Sequence, residues 1–289
     1  MARRKPATTH GIAVVDKPAG VTSHDVVGML RRRFNERQVG HAGTLDPDAT
    51  GVLVIAVGKA TRLLRFIEKT RKEYVGEVVL GTSTSTLDSS GDVTGEFDMS
   101  GVTVDDARRV VAEHLMGDIE QIPPMVSAIR VDGRRLHELA REGIEVERAP
   151  RPVTIHRFDV AEGTAHEVLE VDIECSAGTY VRTLAADLGE LLGGGAHLRN
   201  LRRTSVGAFG ISEAAPPDEC ELQPVATAVR SLDRVTVDEE TAGLIGNGRV
   251  LGRWPGAGPW AVFSEDGSLL AVYEAFRTDE AKPAVVLPV

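Results

Sequence analysis

Two aspartates stand close together in a glycine-rich stretch of the sequence, VGHAGTLDPDATGVL (residues 39–53). Asp46 precedes Pro47, which pushes the backbone of Asp46 toward an extended conformation, and Asp48 follows directly. The stretch is too polar for a core strand and too rich in glycine for a helix. A turn in which both carboxylates bond nearby backbone amides is one interpretation. The other interpretations give one aspartate a chemical role, with a metal ion or without one.

The metal-dependent interpretation rests on the letters DPDAT, which match the Asp-x-Asp-x-Thr signature of haloacid-dehalogenase-like phosphatases. In those enzymes the first aspartate is a nucleophile, and a magnesium ion neutralises the phosphate. Their motif directly follows a buried apolar strand, whereas the letters VGHAGTL that precede it here are too rich in glycine to predict such a strand. The sequence context therefore disfavours a phosphatase.

Without a metal, Asp46 could be a carboxylate nucleophile that adds to an electrophilic carbon. A carboxylate in a partly dry site stays ionised beside a cation, because burial otherwise favours its protonated form. Arg182 is the candidate cation, in the first turn of a predicted helix whose N-cap is Thr179. A cation at a helix N-terminus costs roughly 0.3–1 kcal/mol, which a nearby anion would offset. The alternative is a surface arginine that points away from the helix end.

The elements that must position these residues form a mixture of strands and helices without a regular βαβ alternation. Strands are predicted at residues 11–20, 51–58, 73–81 and 169–175, and helices at 23–35, 102–117, 134–143 and 179–195. Ser23 is the predicted N-cap of the first helix, and Thr103 with Asp106 forms a capping box on the second. We therefore expect an α+β fold with a mixed, largely antiparallel sheet flanked by helices.

The composition changes near residue 213. Residues 212–224 are polar and contain three prolines, and short strand-like pieces with turn signals follow them. This change predicts a main domain over residues 1–229 and a small β-rich domain over residues 230–289.

Overall composition is that of an ordinary globular protein, with 42% apolar and 26% charged residues among 289. No apolar run approaches the roughly 18–20 residues that a membrane helix needs. The basic N-terminus lacks the apolar region of a signal peptide. Cys175 and Cys220 are the only cysteines, too few for a disulfide framework or a four-cysteine zinc site. We expect a cytoplasmic protein that does not bind membranes.

Charge is unevenly distributed along the chain. The net charge is −10, yet residues 1–72 carry +8 and the remainder carries −18. A local basic field on an acidic protein can still attract phosphate groups. The charge pattern is therefore compatible with a nucleic-acid partner.

Five segments in one order resemble the TruB type of tRNA pseudouridine synthases. They are DKPAGVTSHDVV (16–27), GHAGTLDPDATGVLVIAVGKATR (40–62), KEYVGEVVLG (72–81), QIPPMVSAIRVDGRRLHELAREG (121–143) and SAGTYVRTLAADLGELLGGGAHLRNLRRT (176–204). The resemblance covers roughly residues 10–210. It implies the pseudouridine synthase catalytic fold, with an RNA-binding insertion at about residues 124–152 and a C-terminal PUA-like domain.

The same resemblance implies a reaction: the uridine at position 55 in the T-arm of tRNA is isomerised to pseudouridine. The base is flipped into the site, and neither a metal nor another cofactor is needed. tRNA is then the partner of a monomeric protein. The alternative is a tRNA-binding or tRNA-folding module whose role does not require catalysis.

Three residues carry the implied chemistry. The family's nucleophilic aspartate falls on Asp46 rather than Asp48, the arginine that pairs with it falls on Arg182, and the tyrosine falls on Tyr74. That tyrosine packs on the base and is a proposed proton acceptor. Whether the aspartate attacks C6 of the ring, attacks C1′ of the ribose or removes a ribose proton stays open.

Other matching positions imply contacts with the substrate. His41 would help to hold the T-loop with the target base displaced, Leu201 would line the pocket, and Lys17 would support the site. Asp88 matches an acidic position, whereas Ser85 stands where the family often has a carboxylate. The implied phosphate contacts are Arg130, Arg134, Arg135, Arg141, Arg199, Arg202 and Arg203. For the arginines of the insertion, the alternative to phosphate contact is an ion pair with the neighbouring glutamates.

The C-terminal region departs from the resemblance. Its sequence matches a PUA domain poorly, and the chain after Pro217 carries 6 basic against 12 acidic residues. This excess of negative charge puts phosphate binding by the C-terminal region in doubt.

Overall fold

The computed structural model describes residues 7–127, 129–131 and 133–287. Its strands are β1 (Gly11–Lys17), β2 (Val39–Ala42), β3 (Thr50–Val57), β4 (Lys72–Leu80), β5 (Thr82–Thr84), β6 (Val93–Glu96), β7 (Gly117–Gln121), β8 (Arg130–Val131), β9 (Arg134–Arg135), β10 (Arg151–Glu162), β11 (Val168–Cys175), β12 (Ala196–Val206), β13 (Phe209–Gly210), β14 (Asp233–Val237), β15 (Leu251–Gly252), β16 (Trp260–Ser264), β17 (Leu269–Ala275) and β18 (Glu280–Val286). The helices are α1 (Ser23–Arg33), α2 (Leu64–Glu68), α3 (Val104–His114), α4 (Leu136–Arg141), α5 (Val181–Leu191) and α6 (Glu239–Gly246).

One large sheet forms the main part of the molecule. Its strands run in the order β1-β3-β12-β4-β11-β10-β7, with β2 added to β3 and β13 to β12. The β3–β12 pair is parallel, and the other pairs of this sheet are antiparallel. The expected α+β fold with a mixed, largely antiparallel sheet is confirmed.

Helices pack against the large sheet at two places. The largest apolar cluster joins α3 and α5 to the inward residues of β4, β10 and β11, among them Val78, Phe158, Ile173 and Leu184. Helix α1 packs its Val26, Val27 and Leu30 side chains against β1 and β3. Strand β11 shows the alternation read from its sequence, with Leu169, Val171, Ile173 and Cys175 buried. The interior of the sheet thus follows the apolar periodicity of the sequence.

Two of the three predicted helix caps are corrected. The N-cap of α1 is Thr22, in a capping box with Asp25, because the Ser23 hydroxyl is instead bonded to the Leu45 backbone. Helix α5 begins after Tyr180 without a side-chain cap, since the predicted cap Thr179 donates its hydroxyl to the Ser176 carbonyl. The box predicted for α3, Thr103 with Asp106, is confirmed.

The C-terminal part forms a second sheet, in the order β14-β16-β17-β18-β15, with α6 beside it. One of its faces builds a core around Trp260 and Tyr273. Its other face contributes Phe263 and Val272 to an apolar cluster that also contains Val54 of β3. The two sheets therefore share a core, so the C-terminal part is packed firmly on the main sheet.

The proline-containing segment after residue 212 lies along β1. The Gln223 amide donates to the Ile12 carbonyl at 2.7 Å, and the Ala215 amide donates to the Val14 carbonyl at 3.1 Å. The segment covers the edge of the sheet and is not a free linker.

Between β7 and β10, the described part of the chain forms the β8–β9 hairpin and α4. No helix among the described residues is long and apolar enough to span a membrane.

Candidate active site

The loop that carries Asp46 joins β2 to β3 and is fixed by contacts to its backbone. The Leu45 amide donates to the Ser23 hydroxyl at 2.9 Å, and that hydroxyl donates back to the Leu45 carbonyl at 3.1 Å. On the other side of Asp46, the Pro47 carbonyl accepts a bond from the Lys17 ammonium at 2.8 Å. Since the backbone is held on both sides, the position of the Asp46 carboxylate depends mainly on its own side-chain torsions.

Arg182 forms a two-point ion pair with Asp46. Its Nε atom lies 2.9 Å from Oδ2, and its Nη2 atom lies 3.2 Å from Oδ1. The same guanidinium donates to the Thr86 carbonyl at 2.7 Å and to the Val126 carbonyl at 3.0 Å. The Arg182 side chain is 5% exposed, whereas that of Asp46 is 40% exposed. A buried, fully bonded arginine thus presents a carboxylate that still faces open space.

Asp88 is a second carboxylate on the same guanidinium. Its Oδ2 atom lies 3.4 Å from Nη1 of Arg182, and its Oδ1 atom accepts bonds from the Thr86 hydroxyl and the Ser90 amide. The backbone passes between these residues through Leu87, whose φ of 63° is in the left-handed region that leucine rarely adopts. This turn directs the Thr86 carbonyl and the Asp88 carboxylate at one nitrogen of Arg182.

The pKa of Asp46 lies above its usual value. Desolvation by burial is the largest cause and the charge of Asp88 adds to it, while Arg182 and Lys17 act in the opposite direction. A carboxylate with a raised pKa is a stronger base than an exposed one. The contact with the guanidinium still favours its ionised form. Asp46 therefore combines negative charge with raised basicity, as a nucleophile or a general base requires.

A cavity of about 390 Å³ opens beside this ion pair. Its walls include six of the candidate site residues singled out from the sequence, namely His41, Asp46, Tyr74, Arg182, Leu201 and Arg203. They come from β2, the following loop, β4, α5 and β12, so the central strands of the sheet converge on one space. Asp48 is exposed and lies outside these walls.

Tyr74 and His41 are both neutral groups in this setting. Burial raises the pKa of the Tyr74 phenol, against the effect of the Arg203 guanidinium, from which its oxygen accepts a hydrogen bond. Burial lowers the pKa of His41, and the charge of Arg203 lowers it further. The cavity therefore offers a neutral ring and a neutral imidazole near the Asp46–Arg182 ion pair. This combination suits a flat, uncharged ligand group.

The sequence prediction missed Lys72, which also lines the cavity. Its ammonium donates to the Glu68 and Thr70 carbonyls at 2.9 and 3.0 Å. Burial, together with repulsion from Arg203, lowers its pKa to about 8. Lys72 precedes Tyr74 by two residues, so strand alternation puts both on one face of β4, and that spacing was the available signal.

Arg203 is the clearest correction among the predicted phosphate contacts. The residue is 1% exposed and donates to the backbone carbonyls of Val52 at 2.8 Å, Gly43 at 3.1 Å and Thr44 at 3.4 Å. Such burial prevents contact with a phosphate on the surface. Gly43 has a φ of 81°, a conformation that glycine adopts freely, and a Cβ there would stand 3.3 Å from the Lys72 side chain. Arg203 therefore supports the Asp46 loop from within.

We expect Arg203→Leu to lower the free energy of unfolding by about 2–4 kcal/mol, because it leaves buried carbonyls without donors. Urea unfolding measures this loss. The matched control is Arg202→Leu, since the neighbouring Arg202 side chain is 36% exposed and pairs with Asp16 at 2.7 Å. A partly exposed pair contributes at most about 1 kcal/mol. Equal losses in the two variants would contradict the supporting role of Arg203.

The remaining predicted residues lie around the cavity or away from it. Lys17 is wholly buried, and its bond to the Pro47 carbonyl places it beneath the Asp46 loop. Arg202 faces Asp16 on the opposite side of β12.

Arg134 pairs with Glu142 on the insertion, as the glutamate-pairing alternative predicted. The side chains of Arg130, Arg135 and Arg141 lie outside the part of the structure that is described. Within that part, no group of three or more His, Cys, Asp or Glu side chains could hold a metal ion.

Comparison with known families gives two matches along the chain. Residues 31–181 match the TruB family pseudouridylate synthase N-terminal domain. Residues 182–241 match the tRNA pseudouridylate synthase B C-terminal domain. The first match contains Asp46, Tyr74 and Asp88, and the second begins at Arg182.

Similar proteins and structures agree with these matches. The tRNA pseudouridine synthase B of Arthrobacter sp. (strain FB24) is 46% identical over 295 residues, covering 96% of each chain. That of Rhodococcus jostii (strain RHA1) is 44% identical over 301 residues, covering 99% of this chain and 98% of the relative. Among solved structures, a crystal structure of a Cbf5-Nop10-Gar1 complex aligns with a TM-score of 0.70 at 26% identity, over 93% of this chain and 79% of that one.

Proposed function

The chain belongs to the TruB family of pseudouridine synthases, and on that premise we propose that it isomerises the uridine at position 55 in the T-arm of tRNA. The observation that carries the proposal is the Asp46–Arg182 ion pair at the wall of an open cavity. In the reaction, the bond from N1 of uracil to the ribose C1′ breaks, and a bond from C5 to C1′ forms. N1 gains a proton and C5 loses one, so no outside reagent is consumed.

Asp46 is the proposed essential carboxylate. Arg182 holds it with two hydrogen bonds, which fixes its direction and keeps it charged before the substrate arrives. Desolvation and Asp88 raise its pKa, which makes the carboxylate a better nucleophile and a better base. Asp88 acts through the Arg182 guanidinium and is a positioning residue in this proposal.

Tyr74 is proposed to stack on the uracil. A base must leave its stack to enter the cavity, at a cost of a few kcal/mol, and stacking on an aromatic ring returns about 1–3 kcal/mol. The raised pKa of the phenol keeps it neutral, so its oxygen is a poor proton acceptor and its ring is the useful part. Leu201 forms an apolar wall of the same cavity.

His41 is proposed to contact the displaced loop of the RNA through shape and hydrogen bonding. The lowered pKa leaves the imidazole neutral near pH 7, which removes any ion pair with a phosphate. Its Nδ1 atom is buried without a hydrogen-bond partner among the described residues. His41 lines the cavity, so a substrate group would meet atoms of this residue other than the buried Nδ1.

Arginines at the surface of the molecule are proposed to contact the phosphates of the tRNA. Helix α1 carries Arg31, Arg32 and Arg33 in its last turn, and Arg199 and Arg202 keep more than a third of their side chains exposed. Arg134 is exposed on the insertion. We expect the affinity for tRNA to fall as salt rises, because counterions compete for these contacts. The small C-terminal sheet is proposed to be PUA-like, with the boundary between domains near residue 230.

Release of tritium from tRNA that carries 5-³H-uridine tests the reaction directly, because C5 loses its hydrogen when the new carbon–carbon bond forms. We expect one equivalent of tritium per tRNA, in the presence or absence of EDTA. The matched substrate is the same tRNA with cytidine in place of uridine 55, which should release none. No release from either tRNA would overturn the proposed activity, and equal release from both would overturn the proposed position.

A further inference from the structure

In the middle of strand β12, the alternation of side chains between the two faces of the sheet is interrupted. Ala196 and Leu198 are buried in the core beneath α5. Strict alternation would next turn Asn200 and then Arg202 toward that side. The structure instead turns Leu201 into the cavity and exposes Asn200. One extra residue must therefore be accommodated between Leu198 and Leu201.

The pairing of β12 with β4 shows where this residue is inserted. Arg199 stands opposite Glu77, and Arg202 stands opposite Val75. Two residues of β12, Asn200 and Leu201, thus face one residue of β4, Gly76. This two-against-one pairing is a β-bulge, which redirects the side chains that follow it. A shift of one residue moves each later side chain to the other face of the sheet.

Asn200 has the backbone conformation that such a bulge requires. Its φ is 54°, in the left-handed region. Glycine adopts this region freely and asparagine tolerates it, whereas β-branched residues are strained there. The sequence therefore supplies one of the few residue types that fit the position.

The side chain of Asn200 is also held in place. It donates a hydrogen bond to Glu77, which in addition accepts bonds from Nε and Nη2 of Arg199 at 2.7 and 2.6 Å. Desolvation acts to raise the pKa of Glu77, but the bonds from Asn200 and Arg199 lower it below its usual value. The bulge is thus fixed on the face of the sheet away from the cavity.

We propose that Asn200 is a positioning residue for the reaction: its left-handed backbone sets the bulge that turns Leu201 into the active-site cavity. Asn200 is exposed and does not line this cavity, although it borders a smaller space that Asp46, Arg182 and Leu201 also line. The proposed effect on activity passes through Leu201, and the double-mutant cycle below tests that route. The catalytic consequence rests on the proposed function, while the placement of the leucine does not.

The test compares replacements at position 200 by their backbone preference. We expect Asn200→Gly to keep kcat/KM for tritium release within about 3-fold of the parent, because glycine adopts a positive φ without strain. Asn200→Val should lower kcat/KM about 10-fold or more, since a β-branched residue resists this conformation. Asn200→Ala should lie between them, and it replaces the valine variant if that protein does not fold. Equal activity of all three variants would overturn the proposal.

A double-mutant cycle separates positioning from a general loss of stability. In the Leu201→Ala background, Asn200→Val should cost less than about 2-fold, because the side chain that it displaces is already gone. A full 10-fold cost in that background would show that Asn200 acts elsewhere.

A readout without turnover distinguishes failure of this inference from failure of the proposed function. The ¹³C-methyl NMR signals of Leu201 should keep their positions in Asn200→Gly and move in Asn200→Val and Asn200→Ala. Unmoved signals in the folded valine and alanine variants would overturn the positioning role even if the parent enzyme makes pseudouridine. Moved signals with no tritium release by the parent would leave the placement intact and overturn only the activity.

Discussion

Asp46→Asn is expected to abolish pseudouridine formation while leaving the affinity for tRNA nearly unchanged. Asparagine has the shape of aspartate, and its oxygen can still accept a bond from Arg182, so the loop and the cavity keep their form. The amide lacks the charge and the basicity needed to add to carbon or to remove a proton. Loss of a nucleophile typically lowers kcat by about 10⁴-fold or more. Single-turnover tritium release and filter binding measure the two quantities separately.

The control for this variant lies in the same loop. Asp48 is exposed, and the Asp46–Arg182 ion pair does not involve it. Asp48→Asn should therefore keep tritium release within about 2-fold, since surface substitutions away from special features have small effects. Pseudouridine formation by the Asp46 variant would refute the assignment of the essential carboxylate. If the parent binds and refolds tRNA but releases no tritium, the RNA-folding alternative is favoured.

Much of the fold was predictable because it depends on short-range patterns. Alternation of apolar residues identified β11, and the Thr103–Asp106 pair identified the start of α3. The N-cap of α1 was assigned one residue late, because Ser23 and Thr22 are both good caps. A long-range contact to Leu45 determined which of them was free to cap the helix. Local sequence carries no information on such a contact.

The site was predictable only in part, for the same reason. Asp46 and Arg182 are 136 residues apart in the chain, and their pairing depends on the order of strands in the sheet. Residue chemistry suggested that pair, and the ordered motifs selected Asp46 over Asp48. The neighbours Arg202 and Arg203 could not be told apart by alternation, because the bulge at Asn200 changes which side they face.

The shared core of the two sheets was also invisible to the sequence. Composition placed a change near residue 213 and a small β-rich unit after it. The alternating pattern of β16 and β17 shows apolar residues on both faces, since Ala261, Phe263 and Val272 pack on the main sheet while Trp260 and Tyr273 fill the other core. A run that is apolar on both faces indicates burial, but it does not reveal the partner surface.

Arg182→Met is expected to lower activity at neutral pH by about 100-fold or more and to shift the pH dependence upward. Methionine fills a similar volume but leaves Asp46 and Asp88 without the cation between them. The pKa of Asp46 is already raised, and Arg182 is the strongest influence that holds it down. Its loss raises the pKa further, so the carboxylate takes up a proton at a higher pH than in the parent. Activity that depends on the ionised form therefore falls earlier on acidification and recovers in part at alkaline pH.

The acid limb of kcat/KM against pH is the measurement that separates this electrostatic role from a structural one. Arg182→Lys keeps the positive charge without the two-point geometry, so it should lose activity with a smaller shift of the limb. Arg202→Met removes an arginine that pairs with Asp16 outside the cavity, and it should leave the limb in place. A limb that stays at its original pH in Arg182→Met would mean that the guanidinium only supports the fold. If the acid limb moves in Arg182→Met and moves less in Arg182→Lys, then activity depends on a carboxylate whose charge Arg182 controls. Asp46 is that carboxylate, because Arg182 is bonded to it at two points.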